Sequence, residues 1–248
     1  MFGKLSARVK KILAAVALLS VEMLIVTVLF AAALLIFILV ARNVFHLGRT
    51  DFDFKVFGFL ENYVSDRNNK IMNFFTFLGK HDFLIPANLI LIAFFLFKKH
   101  KWYSIKIPAI ALSSLALMVL LKNLFNRPRP DIPLLYEAAG LSFPSGHALM
   151  SVTFYGLLIY IIFKMVQSRQ LKWTLIVLLI LLIIIIGFSR IYLRVHYTTD
   201  VIAGFSIGFL WLVFAVHTLN KIEKYSRRNL NEAVTENAFP EPEPENEP

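Results

Sequence analysis

Residues 143–163 read FPSGHALMSVTFYGLLIYIIF. The stretch 148–163 carries no charged side chain, and a helix needs about 20 apolar residues to cross a bilayer. A histidine behind Pro-Ser-Gly, at the mouth of such a helix, has a plain structural explanation: a turn, a helix cap and a membrane span. The rest of the sequence decides whether that explanation is enough.

The surroundings are as apolar as this stretch. Of 248 residues, 58% are hydrophobic and 24 are Phe, with a mean hydropathy of +0.67. Ordinary soluble domains are about 45–50% apolar. There is no Cys, so neither a disulfide nor a thiolate metal site is open to the chain. The net charge of +10 does not point to nucleic acid, because the cations are scattered between apolar segments rather than grouped on one element. They suit Lys and Arg gathered in cytoplasmic loops and against anionic lipid.

Six segments read as spans: Ala14–Val40, Phe83–Phe97 (short, with Pro86 near its start), Ile105–Leu121, Ala148–Phe163, Leu171–Phe188 and Val201–Leu219. The first is too long for a signal-peptide core of about 7–15 residues and is expected to stay as an anchor. Glu22 lies near its end, within reach of headgroups. Basic residues fall at Lys4, Arg8, Lys10 and Lys11, at Lys98, Lys99, Lys101 and Lys106, at Lys164, Arg169 and Lys172, and at Lys221, Lys224, Arg227 and Arg228. In a six-span chain these four regions share one side, which the positive-inside rule makes cytoplasmic, with both termini. The expected fold is an all-α, six-transmembrane-helix bundle over residues 1–228. The first outer loop, Arg42 to Asp82, contains FDFKVFGFLENYV, an amphipathic stretch whose favoured role is packing. Residues 229–248 end in PEPEPENEP and are expected to form a disordered acidic tail.

The two other outer connections are unusual. One carries Lys122, Arg127, Arg129, Asp131 and His147; the other carries Ser189, Arg190, Arg194, His196 and Asp200. Topology brings their four helix ends to one face. Snorkelling to lipid phosphates accounts for Arg127 or Arg194. It accounts less well for two histidines and an aspartate at helix mouths. A phosphate site accounts for more. Lys122, Arg129 and Arg190 supply fixed positive charge, and guanidinium groups match phosphate oxygens in a fork. Ser145 and Gly146 open a helix whose first amides lack intrahelical partners and favour an anion. Gly146 permits close backbone approach, and Pro144 stiffens the turn. A neutral imidazole is a nucleophile and a protonated one a general acid. His196 stands four residues before Asp200, so on a helix the carboxylate shares its face and can hold one ring nitrogen as N–H.

These residues, taken jointly, fall into three motifs. Lys122 is followed after six residues by Arg129-Pro130; then come Pro144-Ser145-Gly146-His147; then Ser189-Arg190, five residues, His196, three residues and Asp200. The chain thereby resembles the type-2 phosphatidic-acid phosphatase superfamily of integral-membrane lipid phosphate phosphatases. The resemblance implies a helical bundle and a metal-independent reaction. It also implies that Lys122, Arg129, Arg190, Ser145 and Gly146 bind phosphate, that His196 is the nucleophile, that His147 is the acid, and that Asp200 orients His196. Ser189 would add a hydrogen bond near the phosphate.

No cluster of acidic metal ligands accompanies the motifs, so no metal or other cofactor is expected. The expected partners are a lipid phosphate and the surrounding membrane lipids, at the outer face of a plasma membrane; the sequence fixes no oligomeric state. Candidate substrates are phosphatidic acid, phosphatidylglycerol phosphate, undecaprenyl pyrophosphate and a lipid A phosphate. A phosphotransferase using the same phosphohistidine is the alternative. An anion transporter would place charges near the midplane of the spans, and apart from Glu22 the spans lack them.

Overall fold

The structure is a computed structural model that describes residues 21–238, with side chains described over 23–229. It contains α1 (Val21–Ala41, continued by a π-helical turn, Arg42–His46), α2 (Asp51–Glu61), α3 (Asp66–Leu78), α4 (His81–Phe97), α5 (Lys101–Phe125), α6 (Gly146–Met165), α7 (Arg169–Tyr192) and α8 (Thr198–Ala238). No strand occurs among the described residues.

Five helices are long and apolar enough to span a bilayer, and α3 with α4 makes a sixth span if the pair is taken as one bent by 42°. The chain is a multi-pass membrane protein. The expected second span is thus only the second arm of a broken one. At the break, Lys80 pairs with Asp82 at 2.7 Å, both partly exposed. The start of the first span, its four basic residues and the Glu22 side chain lie outside the described residues.

The last helix departs from expectation. It continues to Ala238, so the first ten residues of the expected tail are helical. Their sequence, NLNEAVTENA, contains helix formers and no Pro. Pro240 comes two residues after Ala238 in the sequence. The PEPEPENEP run lies outside the described residues.

Close packing of α6 against α8 sets the frame. Gly204 and Gly208 stand four apart on α8. A Cβ at Gly204 would lie 2.7 Å from the Ser145 carbonyl oxygen and 2.9 Å from the Ala148 Cβ; one at Gly208 would lie 2.9 Å from the Leu149 carbonyl oxygen. This is the small-xxx-small contact that lets two membrane helices approach closely. The amphipathic stretch forms α2, which buries Phe57 and Leu60 against Ala148, Ile191, Tyr197 and Val201, in agreement with a packing role. From α1, Phe45 stacks on Phe125 at 4.8 Å and meets Phe143 edge-on at 5.0 Å. The residue that opens the FPSGH turn is therefore locked by α1 and α5 together.

Because backbone atoms oppose any side chain at residue 204, Gly204→Val should lower thermal stability by roughly 1–3 kcal/mol, read as a reduced unfolding midpoint in detergent. Gly58→Ala meets nothing within 4 Å and should leave the midpoint unchanged or slightly raised. Equal behaviour of the two variants would show that the close contact contributes nothing.

Candidate active site

Four helix ends meet at one end of the bundle: the C-termini of α5 and α7 and the N-termini of α6 and α8. They carry Lys122, Arg190, Ser145–His147 and Asp200. The turn after α7 is tight. Leu193 N–H donates to the Ser189 carbonyl at 2.9 Å, and Val195 and His196 N–H both donate to the Arg190 carbonyl at 3.2 and 3.3 Å. Arg194 takes a left-handed backbone, φ 61°, which brings His196 back over the end of α7. Ser145 N–H donates to the Asp200 carbonyl at 3.0 Å and ties the second motif to the third.

The link between His196 and Asp200 differs from the one expected. His196 Nδ1 lies 3.6 Å from Asp200 Oδ2, an ion-pair separation too long for a hydrogen bond. Ser142 bridges the pair: its hydroxyl donates to Asp200 Oδ2 and its oxygen lies 3.2 Å from His196 Nδ1. With its proton committed to the carboxylate, Ser142 Oγ accepts from Nδ1–H. That tautomer leaves Nε2 with a free lone pair. Burial pushes the His196 imidazole down to about 4, with Asp200 opposing the shift in part. The ring is therefore neutral near pH 7.

Behind Asp200 lies a buried network. Arg127 Nη1 donates to Asp200 Oδ1 at 2.5 Å and to Thr199 Oγ1 at 2.8 Å, and Nη2 reaches Asp53 Oδ2 at 3.2 Å. Asp53, fully buried on α2, also accepts from Thr199 N–H at 2.9 Å. The Arg127 guanidinium lies 3.8 Å from the centroid of the Tyr197 ring. The reading of Arg127 as a snorkelling cation is thus overturned: the side chain points inward, drawn by two carboxylates. Arg194 is largely covered and pairs with exposed Glu61 at 3.5 Å.

The phosphate-binding candidates divide. Arg129 spends its guanidinium on the carbonyls of Val195 at 2.6 Å, Ala139 at 2.8 Å and Gly140 at 3.1 Å. Lys122 Nζ donates to the Leu141 carbonyl. Gly146 lies beside Lys122, where a Cβ would come within 3.8 Å of Cε. Arg190 Nη1 donates to Thr76 Oγ1 of α3 at 2.5 Å, while its Nε is buried without a partner. His147 lies in electrostatic range of Arg190, His196 and Arg129, and its Nε2 is also buried and unpartnered. Ser145 is the N-cap of α6 but does not cap it; its hydroxyl is a third such atom. Ser189 donates to the Ile186 carbonyl of its own helix at 2.7 Å, so its hydroxyl proton is already committed. Pro130 and Pro144 are buried in the connecting segment. Asp53, Thr76 and Ser142 were not singled out in the sequence. Asp53 carried one usable signal, a carboxylate inside an otherwise bulky apolar run.

The PAP2 superfamily pattern matches residues 103–224, which include all three motifs. Phosphatidylglycerophosphatase B of Bacillus subtilis (strain 168) is 30% identical over 162 residues, covering 64% of this chain and 79% of that protein. Undecaprenyl-diphosphatase BcrC of the same organism is 28% identical over 166 residues, covering 61% and 79%. The crystal structure of a transmembrane PAP2 type phosphatidylglycerolphosphate phosphatase from Bacillus subtilis superposes with a TM-score of 0.71 at 26% identity, covering 78% of this chain and 96% of that one.

Removing the shared cation tests the buried network. Arg127→Met leaves two carboxylates facing each other without water and should cost about 3–5 kcal/mol. Arg194→Met breaks a long, 3.5 Å pair whose carboxylate is exposed and keeps the aliphatic stem, so it should cost under about 1 kcal/mol. Thermal unfolding in detergent compares them, and a negligible loss for Arg127→Met would remove the network from the account of stability.

Proposed function

We propose that this chain, which belongs to the PAP2 superfamily and is a membrane lipid phosphatase, hydrolyses a phosphomonoester or pyrophosphate of a lipid through a phosphohistidine on His196. One observation carries the reading. Ser145 Oγ and His147 Nε2 at the N-terminus of α6 and Arg190 Nε at the C-terminus of α7 are buried and unpartnered. A buried polar group left unsatisfied costs about 1–3 kcal/mol. Phosphate oxygens are the ligand that would take donors from all three, and the motif cations Lys122 and Arg129 stand beside them.

In this reading Nε2 of His196 attacks phosphorus opposite the lipid oxygen. The P–O bond to the lipid breaks, and the leaving oxygen takes a proton from His147. The positive charge of Arg190, Lys122 and Arg129 is stronger at the transferring phosphoryl group than it would be in water. Phosphate oxygens would replace the carbonyls of residues 139–141 as acceptors for Lys122 and Arg129. Water then attacks the phosphohistidine, His147 removes its proton, and inorganic phosphate leaves. Fixed cations take the electrostatic role that a metal plays in other phosphatases. Among the described residues, no group of three or more His, Asp or Glu has a metal-holding arrangement.

The substrate class follows from depth. A site at a helix-bundle end meets a headgroup at the interface while apolar helix faces meet its chains. The names of the relatives favour a glycerophospholipid phosphate or a polyprenyl pyrophosphate. The distribution of Lys and Arg favours the outer leaflet.

Purified protein in detergent should release phosphate from phosphatidylglycerol phosphate or undecaprenyl pyrophosphate, with or without a chelator. His196→Ala should abolish release while leaving helical content intact; full activity in that variant would end the nucleophile assignment. Ser142→Ala removes the bridge that sets the His196 tautomer. It should lower kcat by about tenfold to a hundredfold with KM little changed, and an unaltered kcat would exclude the bridge from the chemistry.

A further inference from the structure

The other end of the bundle holds a second polar cavity, of about 560 Å³, between the α4–α5 turn, the end of α6 and the outer part of α8. Along α5, Lys101 at this cavity and Lys122 at the active site are separated by about 30 Å at 1.5 Å per residue. That is about the thickness of a bilayer's hydrocarbon core, so the cavity opens at the opposite membrane face.

Its floor is built. Lys106 is 3% exposed, and its ammonium donates to Asn220 Oδ1 and to Glu223 Oε2, each at 2.6 Å. Asn220 Nδ2 donates to the Tyr160 hydroxyl at 3.1 Å. Arg227 Nε donates to the other Glu223 oxygen at 3.0 Å. One carboxylate is thus shared by two cations. Lys99, Lys101 and Lys164 also line the cavity and have no ion-pair partner among the described residues. Five cations against one carboxylate leave a surplus of four positive charges. Lys99 is held in a left-handed backbone, φ 59°, by the tight turn that carries it.

Positive-inside bias alone accounts for cations on this face. It does not account for their convergence from three helices on a walled space whose floor is hydrogen-bonded throughout. The volume lies in the range of small-ligand sites, about 300–1,000 Å³. We infer that this cavity binds a phosphate-bearing anionic group at the membrane face opposite the active site. The source is either the headgroup of an anionic lipid in that leaflet or a soluble phosphate compound. Phe97 and Tyr225, 87% and 69% exposed, border this region in sequence and offer apolar surface to lipid chains, which favours the headgroup.

Trp102 lines the cavity and reports on it. Its fluorescence, isolated by difference from Trp102→Phe, is titrated with dihexanoyl phosphatidylglycerol, dihexanoyl phosphatidylcholine and inorganic phosphate on the full chain in detergent. Phosphatidylglycerol should give a saturable change that phosphatidylcholine does not. In Lys101→Gln/Lys164→Gln its apparent Kd should weaken roughly 25-fold, while phosphate release at the active site is unchanged. Saturation by phosphatidylglycerol alone assigns a lipid source; saturation by inorganic phosphate as well assigns a soluble one. Equal binding by the double variant, equal response to phosphatidylcholine, or no Trp102-dependent change with any ligand overturns the inference. The readout does not pass through turnover, so its failure is distinct from failure of the catalytic reading.

Discussion

A carboxylate taken fully out of water has to be compensated on every side, and the burial of Asp200 imposes that demand on the whole end of the bundle that holds the candidate site. Its partners come from different parts of the chain. Arg127 reaches it from the segment after α5, Ser142 from the approach to α6, and Tyr197 N–H from the turn before α8 at 3.0 Å. Arg127 then needs a second anion, which α2 supplies as Asp53. Breaking one member of such a set leaves an uncompensated charge in a low-dielectric interior. The requirement therefore fixes the relative position of α2, α5, α6 and α8 more sharply than apolar packing, which tolerates sliding.

The same charge pattern separates the back of His196 from its front. Behind the ring sit Asp200 and Ser142, which specify the proton on Nδ1. In front sit Arg190, Arg129 and Lys122, which would repel a protonated imidazole and attract a phosphate. Burial first, and then Arg190 and Arg129, hold the ring neutral against the pull of Asp200. The proposed nucleophilic role needs a free lone pair on the ring, and the arrangement keeps one without exposing the ring to solvent.

Much of this was legible in the sequence because it is periodic or local. Apolar run length gave the spans, and the spacing of Lys122, Arg129, His147, Arg190, His196 and Asp200 gave the end of the bundle where they meet. What was not legible is what depends on partners distant in sequence. Asp53 sits in an alternating run that reads as an amphipathic helix packed by its apolar residues, and its cation is 74 positions away. Ser142 precedes Phe143 and reads as part of a turn. Snorkelling could account for Arg127 in the sequence because sequence carries the charge of a side chain and not its direction. The break between α3 and α4 and the extension of α8 were missed for a further reason: short polar stretches between apolar runs have no strong period of their own.

The two ends of the bundle follow one electrostatic rule with opposite signs. At the active site a buried carboxylate, Asp200, is held by one cation, Arg127, together with Ser142 and the Tyr197 N–H, and further cations, Arg190, Arg129 and Lys122, stand nearby. At the far end a buried ammonium, Lys106, is held by Glu223 and Asn220, and again the surplus is positive and stands outward. In both cases the buried member is fully engaged and serves as a fixed floor, and the less engaged cations above it are the ones left to meet an anion. The helices α5, α6 and α8 run from one floor to the other, and the Gly204–Gly208 contact keeps α6 and α8 in close register between them. Lipid-exposed irregular backbone is excluded from a bilayer core, and this chain places its polar clusters where helices end, on both sides.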